Sequence, residues 1–125
     1  MDAELALKIG TFVGVGYAGQ CILMPGKYLS DQGVTQTPQT EYMLKGLTGG
    51  VIGITVGSAL AAFYGSPEMQ RYTVLMNLGA FSYWSVSSLM QVTQPAEKDK
   101  PAPVGPKVDL GICTVMMAVW GSTFL

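Results

Sequence analysis

The stretch GLTGGVIGITVGSALAAFYGSP, residues 46–67, contains no charged residue and carries small residues at every fourth position. The small residues of this series are Gly49, Gly53, Gly57, Ala61 and Gly65. In water such a helix would be poor, because each interior glycine costs about 1 kcal/mol relative to alanine. In a membrane, small residues spaced by four let a second helix approach closely. The stretch therefore predicts a transmembrane helix that packs against a neighbour.

The angular spacing of this series indicates either a partner helix that crosses at about −40° or more than one neighbour. Residues four apart are displaced by about 40° on a helix of about 3.6 residues per turn, so the small residues wind around the helix. A straight partner helix cannot cover all of them. We predict that Gly49 and Gly53 face one helix and that Gly65 faces another. Gly10 and Gly14 repeat the spacing earlier in the chain, and we expect them to pack in the same way.

Charged residues are scarce and segregated along the chain. They make up 12% of the 125 residues, against about 25% in an ordinary soluble domain. They are absent from residues 9–26, 46–67, 72–96 and 110–125, and each gap is near or above the roughly 17–25 residues that cross a bilayer core. The sequence therefore predicts a single all-α domain, a membrane bundle of four transmembrane helices. The alternative, a water-soluble four-helix bundle, would need polar outer faces that these segments lack.

Turn and cap signals place the four predicted helices at about 4–24, 38–64, 67–92 and 107–125. Pro25 ends the first helix, and Thr37 followed by Pro38 caps and opens the second. Gly65 and Ser66 leave almost no loop, so we expect the second and third helices to form a tight antiparallel hairpin. The polar linker 94–106 contains four prolines among mixed charges, which predicts an extended, hydrated segment outside the membrane.

The basic residues predict an orientation. Lys8 and Arg71 lie on the side of the termini, whereas five lysines lie on the side of the two longer connections. The positive-inside bias places those connections on the cytoplasmic, matrix or stromal side. The acidic opening of the chain lacks the basic region of a signal peptide, so we expect the first helix to remain in the mature protein.

The residue types exclude several functions. Histidine is absent, which removes His-ligated metals and His-activated nucleophiles, and we expect a protein that is not an enzyme by itself. The net charge of −1 without a basic cluster argues against nucleic-acid partners. Cys21 and Cys113 lie in apolar runs, where cysteines are usually small buried hydrophobes. Every charge is expected at or beyond a helix end, which disfavours ion-coupled transport.

Candidate ligand-binding residues are the amides Asn77, Gln91 and Gln20. Asn77 and Gln91 share one face of the third predicted helix with aromatic side chains, where an amide oxygen could bind the magnesium of chlorophyll and the rings could line a pigment or carotenoid. The alternative is hydrogen bonding between helices, worth about 0.6 kcal/mol per pair in membranes, and we favour that interpretation. Trp120, near the chain end, is expected to anchor at the membrane interface.

The order of these features resembles the DoxX-like superfamily of small four-helix membrane proteins. The resemblance covers about the first two-thirds of the chain and rests on glycines in the first helix, then Pro25, Leu29, Gly33-Val34 and Pro38, then Gly46, Gly49-Gly50 and Gly53. It implies a four-helix bundle and, because some members are accessory subunits of quinone-linked oxidoreductases, a supporting role in a larger membrane complex. It assigns no catalytic residue.

The sequence thus predicts a non-catalytic integral membrane accessory subunit of a bioenergetic complex. By composition we expect the periphery of a photosystem in the thylakoid first and the respiratory chain of the mitochondrial inner membrane second. Its partners would be membrane lipid and other integral membrane subunits, and its helices would pack lipid or pigment. The alternative is a small oligomeric transporter or channel.

Overall fold

A computed structural model describes residues 1–95 and 98–125 of the chain. The described residues form five α helices and one short 3₁₀ helix, and they contain no strand. The helices are α1 (Ala3–Leu23), α2 (Pro25–Asp31), α3 (Pro38–Tyr64), α4 (Pro67–Thr93) and α5 (Gly105–Gly121), and the 3₁₀ helix covers Ser122–Phe124. The predicted all-α class is confirmed, and the predicted bounds of α3 and α4 hold within one residue.

The predicted start signals of α3 and α4 are present as side-chain caps, and α1 has one as well. Thr37 and Thr40 form a reciprocal capping box at the start of α3, and Ser66 accepts a hydrogen bond from the Met69 amide at the start of α4. At α1, the Asp2 carboxylate accepts from the Glu4 amide. These side chains satisfy backbone N–H groups that a helix start otherwise leaves without a partner.

The short helix α2 was not predicted. Pro25 was interpreted only as a stop for α1, but it also occupies the first turn of a new helix, where its missing N–H costs nothing. Gly33 ends α2 at φ +72°, a conformation that glycine adopts without strain. The Gly33 amide donates to Ser30 and the Val34 amide to Leu29, which is the Schellman pattern that terminates helices.

The segment between α4 and α5 was predicted as an extended linker over residues 94–106. Its described part contains a turn at residues 98–99, and residues 96 and 97 lie outside the described residues. The helix after it begins at Gly105, two residues earlier than predicted, with Pro106 in its first turn. The α-helical part ends at Gly121, and the 3₁₀ helix follows.

The long helices pack as two main pairs, α1 along α3 and α4 along α5. The predicted hairpin, α3 and α4, is joined by only two residues, but its helices contact each other less than either pair does. The main apolar core lies at the end that holds the termini and combines Ala6, Leu7, Ala61, Ala62, Val74, Met116 and Trp120. The N-terminal ammonium donates to the Ser122 carbonyl over 2.9 Å, which holds the two ends of the chain together.

Trp120 belongs to this core, so its predicted role as an exposed interface anchor is wrong. The side chain is 1% exposed, its Nε1 donates to the Ala6 carbonyl over 3.2 Å, and its ring meets Phe81 edge-on at 4.6 Å between centroids. The reason is Gly10: a Cβ there would come within 2.7 Å of Trp120. The missing side chain makes room for the indole in the bundle.

Among the described residues, two helices are long and apolar enough to cross a membrane, Ala3–Leu23 and Pro38–Tyr64. Helix α4 has 27 residues but carries more polar side chains than α1 or α3. Helix α5 has 17 residues, the lower end of the roughly 17–25 residues that span a bilayer core. Length and composition therefore indicate two candidate spans.

Candidate functional site

Asp109 of α5 is the centre of a polar cluster that joins three helices. One carboxylate oxygen accepts a hydrogen bond from the Tyr17 hydroxyl of α1. The other accepts from Gln32 Nε2 over 2.8 Å, and Gln32 is the residue that caps α2. Asp109 is the fifth residue of α5, so it lies near the start of that helix, and it is half-buried.

Helix α2 determines the position of this cluster. Gly33 and Gly105 allow the end of α2 to lie directly on the start of α5: a Cβ on Gly33 would be 3.1 Å from Pro103, and one on Gly105 would be 2.8 Å from the Asp31 carbonyl. This close approach brings Gln32 within reach of Asp109. The two glycines thus shape the site without supplying any of its chemistry.

Asp109 lies in a lateral groove between α1, α2 and α5, which we call the Asp109 groove. Its volume is about 770 Å³, within the roughly 300–1,000 Å³ of typical ligand pockets. Its polar end is lined by Gln20, Lys27, Tyr28, Gln32 and Asp109, and its apolar end by Phe12, Val13, Ile112, Val115 and Met116. The polar side chains of the groove thus lie toward its α2 end, although Val104 and Val108 also line that end, and the part toward the middle of α1 and α5 is apolar.

The charges in the groove do not balance. Lys27 pairs with Asp31 over 2.6 Å, so these two side chains neutralise each other. Among the described residues, no cationic group lies within ion-pair distance of Asp109, whose two partners are neutral donors. The groove therefore has a net negative charge at its inner polar end.

The burial and charge of the Asp109 groove also affect the hydroxyl of Tyr28 in α2. Burial, and next the negative charge of Asp109, raise the pKa of its hydroxyl above the usual value. Both causes favour the neutral phenol. Tyr28 therefore keeps its proton in the folded protein and stays a hydrogen-bond donor at the polar end of the groove.

The three amides that the sequence singles out do not form one site. Gln20 lines the Asp109 groove. Gln91 lies near the end of α4, where it lines a separate hollow with Gln32 and Val34. Asn77 is 4% exposed, and its Nδ2 donates to Ser58 Oγ of α3 over 2.9 Å. This is the interhelical hydrogen bond that we favoured from the sequence; a pigment role for any of the three stays a prediction.

The two cysteines are free and buried, as their apolar surroundings in the sequence predict. Cys21 is 5% and Cys113 is 4% exposed. The described residues contain no group of three or more potential metal ligands among His, Cys, Asp and Glu. The Asp109 groove therefore offers the Asp109 carboxylate as a hydrogen-bond acceptor and the Tyr28 hydroxyl and Lys27 ammonium as donors.

The predicted packing glycines divide into two sets. Gly10 packs against Trp120 and Gly14 against Thr55, and Ala61 is fully buried in the core. At Gly65 the nearest atoms to an added Cβ belong to Ala61 of the same helix, at 2.5 Å. For these residues, small size serves contacts within the chain.

The other glycines of α3 face outward. A Cβ on any of Gly46, Gly49, Gly50, Gly53 or Gly57 would meet no described atom within 4 Å. We call these five residues the outer glycine face. With about 3.6 residues per turn, they lie on the side opposite the buried residues of α3, which include Leu44, Thr48, Val51, Thr55 and Ser58. The predicted division, with Gly49 and Gly53 toward one helix and Gly65 toward another, is not found within the chain.

No protein-family model, no curated protein and no solved structure matches the chain. The resemblance to the DoxX-like superfamily accordingly stays a prediction. The chain has two candidate functional surfaces, the Asp109 groove and the outer glycine face.

Proposed function

We propose that this protein is a non-catalytic integral membrane subunit that docks through its outer glycine face against a helix of a larger membrane complex. The observation that carries the proposal is the position of that face, opposite the packed side of α3 and without a described neighbour in the chain. In membranes, small residues at such spacing serve close approach of helices. A partner helix can reach the backbone of α3 there without displacing any side chain of this protein.

The membrane placement is supported by what α3 exposes beside the glycines. Ile52, Val56, Leu60 and Phe63 are 40–62% exposed, whereas the buried side of the helix contains hydroxyls, among them Thr48, Thr55 and Ser58. A soluble amphipathic helix has a polar exposed side, whereas the exposed side of α3 is apolar. The proposal includes all four long helices, α1, α3, α4 and α5, as membrane spans, with α5 nearly upright because of its length.

The proposed setting is a bioenergetic membrane, with the periphery of a thylakoid photosystem first and the mitochondrial respiratory chain second. The support is compositional: a short chain, 10% aromatic residues and no histidine. The two longer connections would face the stroma or matrix, because they carry five of the seven basic residues. Lipid, chlorophyll or carotenoid would fill the surface between the subunits.

The test is whether docking depends on the outer glycine face. An added Cβ at Gly53 or Gly57 meets no described atom within 4 Å, so we expect the isolated chain with Gly53→Leu and Gly57→Leu to fold as before. In native gels of mildly solubilised membranes, the wild type should migrate with a large complex and the double variant should migrate alone. Pigment absorption of the complex band would distinguish the photosynthetic setting from the respiratory one.

Gly79→Leu on α4 is the matched control, because Gly79 is also exposed and also has no described atom within 4 Å of an added Cβ. It should leave migration unchanged. If the wild-type chain runs alone as a small homo-oligomer in mild detergent, the subunit proposal fails.

A second candidate is a small oligomeric transporter or channel, and Asp109 favours it. An ionisable side chain that lines a cavity among membrane helices is a common element of ion pathways, and Asp109 lines such a cavity. In proteoliposomes, cation flux that disappears in Asp109→Asn and persists in Glu4→Gln would support this function. Flux equal to that of protein-free liposomes would remove it.

A further inference from the structure

The Asp109 groove combines three properties that together define a ligand class. Its volume is that of a small-molecule site, its polarity changes along its length, and its inner polar end bears an uncompensated negative charge. None of these properties involves the outer glycine face, which lies on a different helix. The groove is therefore a candidate ligand site separate from the outer glycine face.

The direction of the polarity change matches the direction of a lipid in a bilayer. The polar end is formed by α2 and by the C-terminal part of α1 and the start of α5, which all lie at the same end of the bundle. From Asp109 to Met116 the groove follows α5 for seven residues, about 10 Å at 1.5 Å per residue. An apolar chain along Phe12, Val115 and Met116 would thus run from the membrane surface toward its middle.

The charged side chains of the groove determine which lipid headgroup fits. Asp109 uses the Tyr17 and Gln32 donors to hold its carboxylate in place, and each oxygen retains a lone pair for a further donor. Lys27 at the mouth is bound to Asp31, yet its ammonium has hydrogens to offer to a phosphate. A headgroup that lies across the polar end, with its ammonium at Asp109 and its phosphate at Lys27, complements both side chains.

We propose that the Asp109 groove binds a membrane phospholipid with a primary amine in its headgroup. The ammonium donates to Asp109, the phosphate lies beside Lys27, and one acyl chain lies along the apolar end of the groove. The inference depends on the membrane placement in the proposed function but not on docking to a larger complex.

The experiment uses the full chain, purified in mild detergent and titrated separately with ethanolamine, choline and glycerol phospholipids of identical acyl chains. Native mass spectrometry measures the fraction with one lipid bound. We expect the ethanolamine lipid to bind about tenfold more tightly than the other two, the size of one charge-assisted hydrogen bond. Asp109→Asn should remove this preference. Equal binding of the three lipids to the wild type would overturn the proposal.

A second pair of variants tests binding of the acyl chain in the Asp109 groove without changing a charge. Gly16 lines the groove, Gly19 does not, and an added Cβ at either position meets no described atom within 4 Å. Gly16→Leu should lower the affinity for the ethanolamine lipid about tenfold by filling the groove, and Gly19→Leu should leave it unchanged. Equal effects of the two variants would contradict a chain in this groove.

Loss of lipid binding and loss of docking through the outer glycine face can be distinguished with these variants. Gly53→Leu with Gly57→Leu should release the chain from its complex and keep lipid binding, whereas Gly16→Leu should do the reverse. Failure of the membrane placement itself would be visible as release of the wild-type chain from membranes by alkaline carbonate.

Discussion

Gly14 of α1 and Thr55 of α3 are packed so closely that a Cβ atom on Gly14 would overlap the Thr55 hydroxyl oxygen. That oxygen is held in place, because it donates to the Val51 carbonyl over 2.7 Å. The pair lies in the contact between α1 and α3, which is one of the two main helix pairs of the fold. The position of the two helices therefore depends on the absence of a side chain at Gly14.

We predict that Gly14→Ala destabilises the protein although alanine is the better helix former. The added methyl group forces a shift of Thr55 or of the helices, which costs about 1–3 kcal/mol. Thermal unfolding in detergent measures the effect. Gly19→Ala on the same helix is the control and should be neutral or stabilising, since an added Cβ there meets no described atom within 4 Å.

A second substitution, at Thr55, should partly compensate for the loss of stability in Gly14→Ala. Thr55→Ala removes the atom with which the new methyl group collides, so the double variant should be more stable than Gly14→Ala alone. Simple addition of the two single effects would show that the collision does not determine the cost of Gly14→Ala.

Local signals in the sequence were sufficient for the boundaries of α3 and α4 but not for the Asp109 site. Thr37 and Ser66 act on amides within the next three residues, so sequence order alone predicts them. Asp109 depends on Gln32, 77 positions away, and on the unpredicted helix α2. The available signal was Gly33 followed, much later, by Pro103 and Gly105, but sequence spacing does not show that these residues meet.

The glycines of α3 show a different limit. Their spacing gives the angular position of each residue around the helix, because that follows from helical geometry alone. It does not indicate whether the chain itself or another molecule covers that side. Gly14 and Gly53 occur in equivalent patterns, yet the first touches Thr55 and the second touches no described residue within 4 Å.

The buried pair Ser58 and Asn77 offers a test of hydrogen bonding against ligand binding. Asn77 Nδ2 donates to Ser58 Oγ between α3 and α4. A double-mutant cycle with Ser58→Ala and Asn77→Ala should give a coupling of about 0.6 kcal/mol, the average for such pairs in membranes. If Asn77 instead binds a pigment, Asn77→Ala will lower pigment absorption of the purified protein and Ser58→Ala will not.

Trp120 should contribute more to stability than any other single side chain of α5. Its ring is 1% exposed and contacts the core that joins both ends of the chain. Trp120→Ala should cost about 3–5 kcal/mol through the cavity it leaves. Trp120→Phe keeps an aromatic ring near Phe81 and loses the bond to the Ala6 carbonyl, so about 0.5–1.5 kcal/mol of its cost should come from that bond.

Unfolding midpoints in detergent and proteolysis near the termini provide the two measurements. Trp120→Ala should make both ends of the chain more sensitive to protease, because the Met1 ammonium contacts Ser122 directly beyond the tryptophan. Trp84→Ala is the comparison, since Trp84 is only half-buried. An equal loss of stability in the two variants would contradict a central role for Trp120.

Tyr28 makes the stability of the fold sensitive to alkaline pH. Burial first, Asp109 second and Cys21 third raise the pKa of its hydroxyl in the folded protein, whereas the unfolded chain releases the proton near the ordinary value of about 10. Because the folded pKa is the higher one, the contribution of Tyr28 is fully present below pH of about 10 and is lost as the pH rises toward the folded pKa. The unfolding midpoint should therefore fall above pH of about 10.

Variants of single tyrosines test this prediction. The midpoint should fall less in Tyr28→Phe. Tyr72 is 61% exposed, so Tyr72→Phe should follow the wild type. Identical curves for all three proteins would show that the surroundings of Tyr28 do not favour its neutral form.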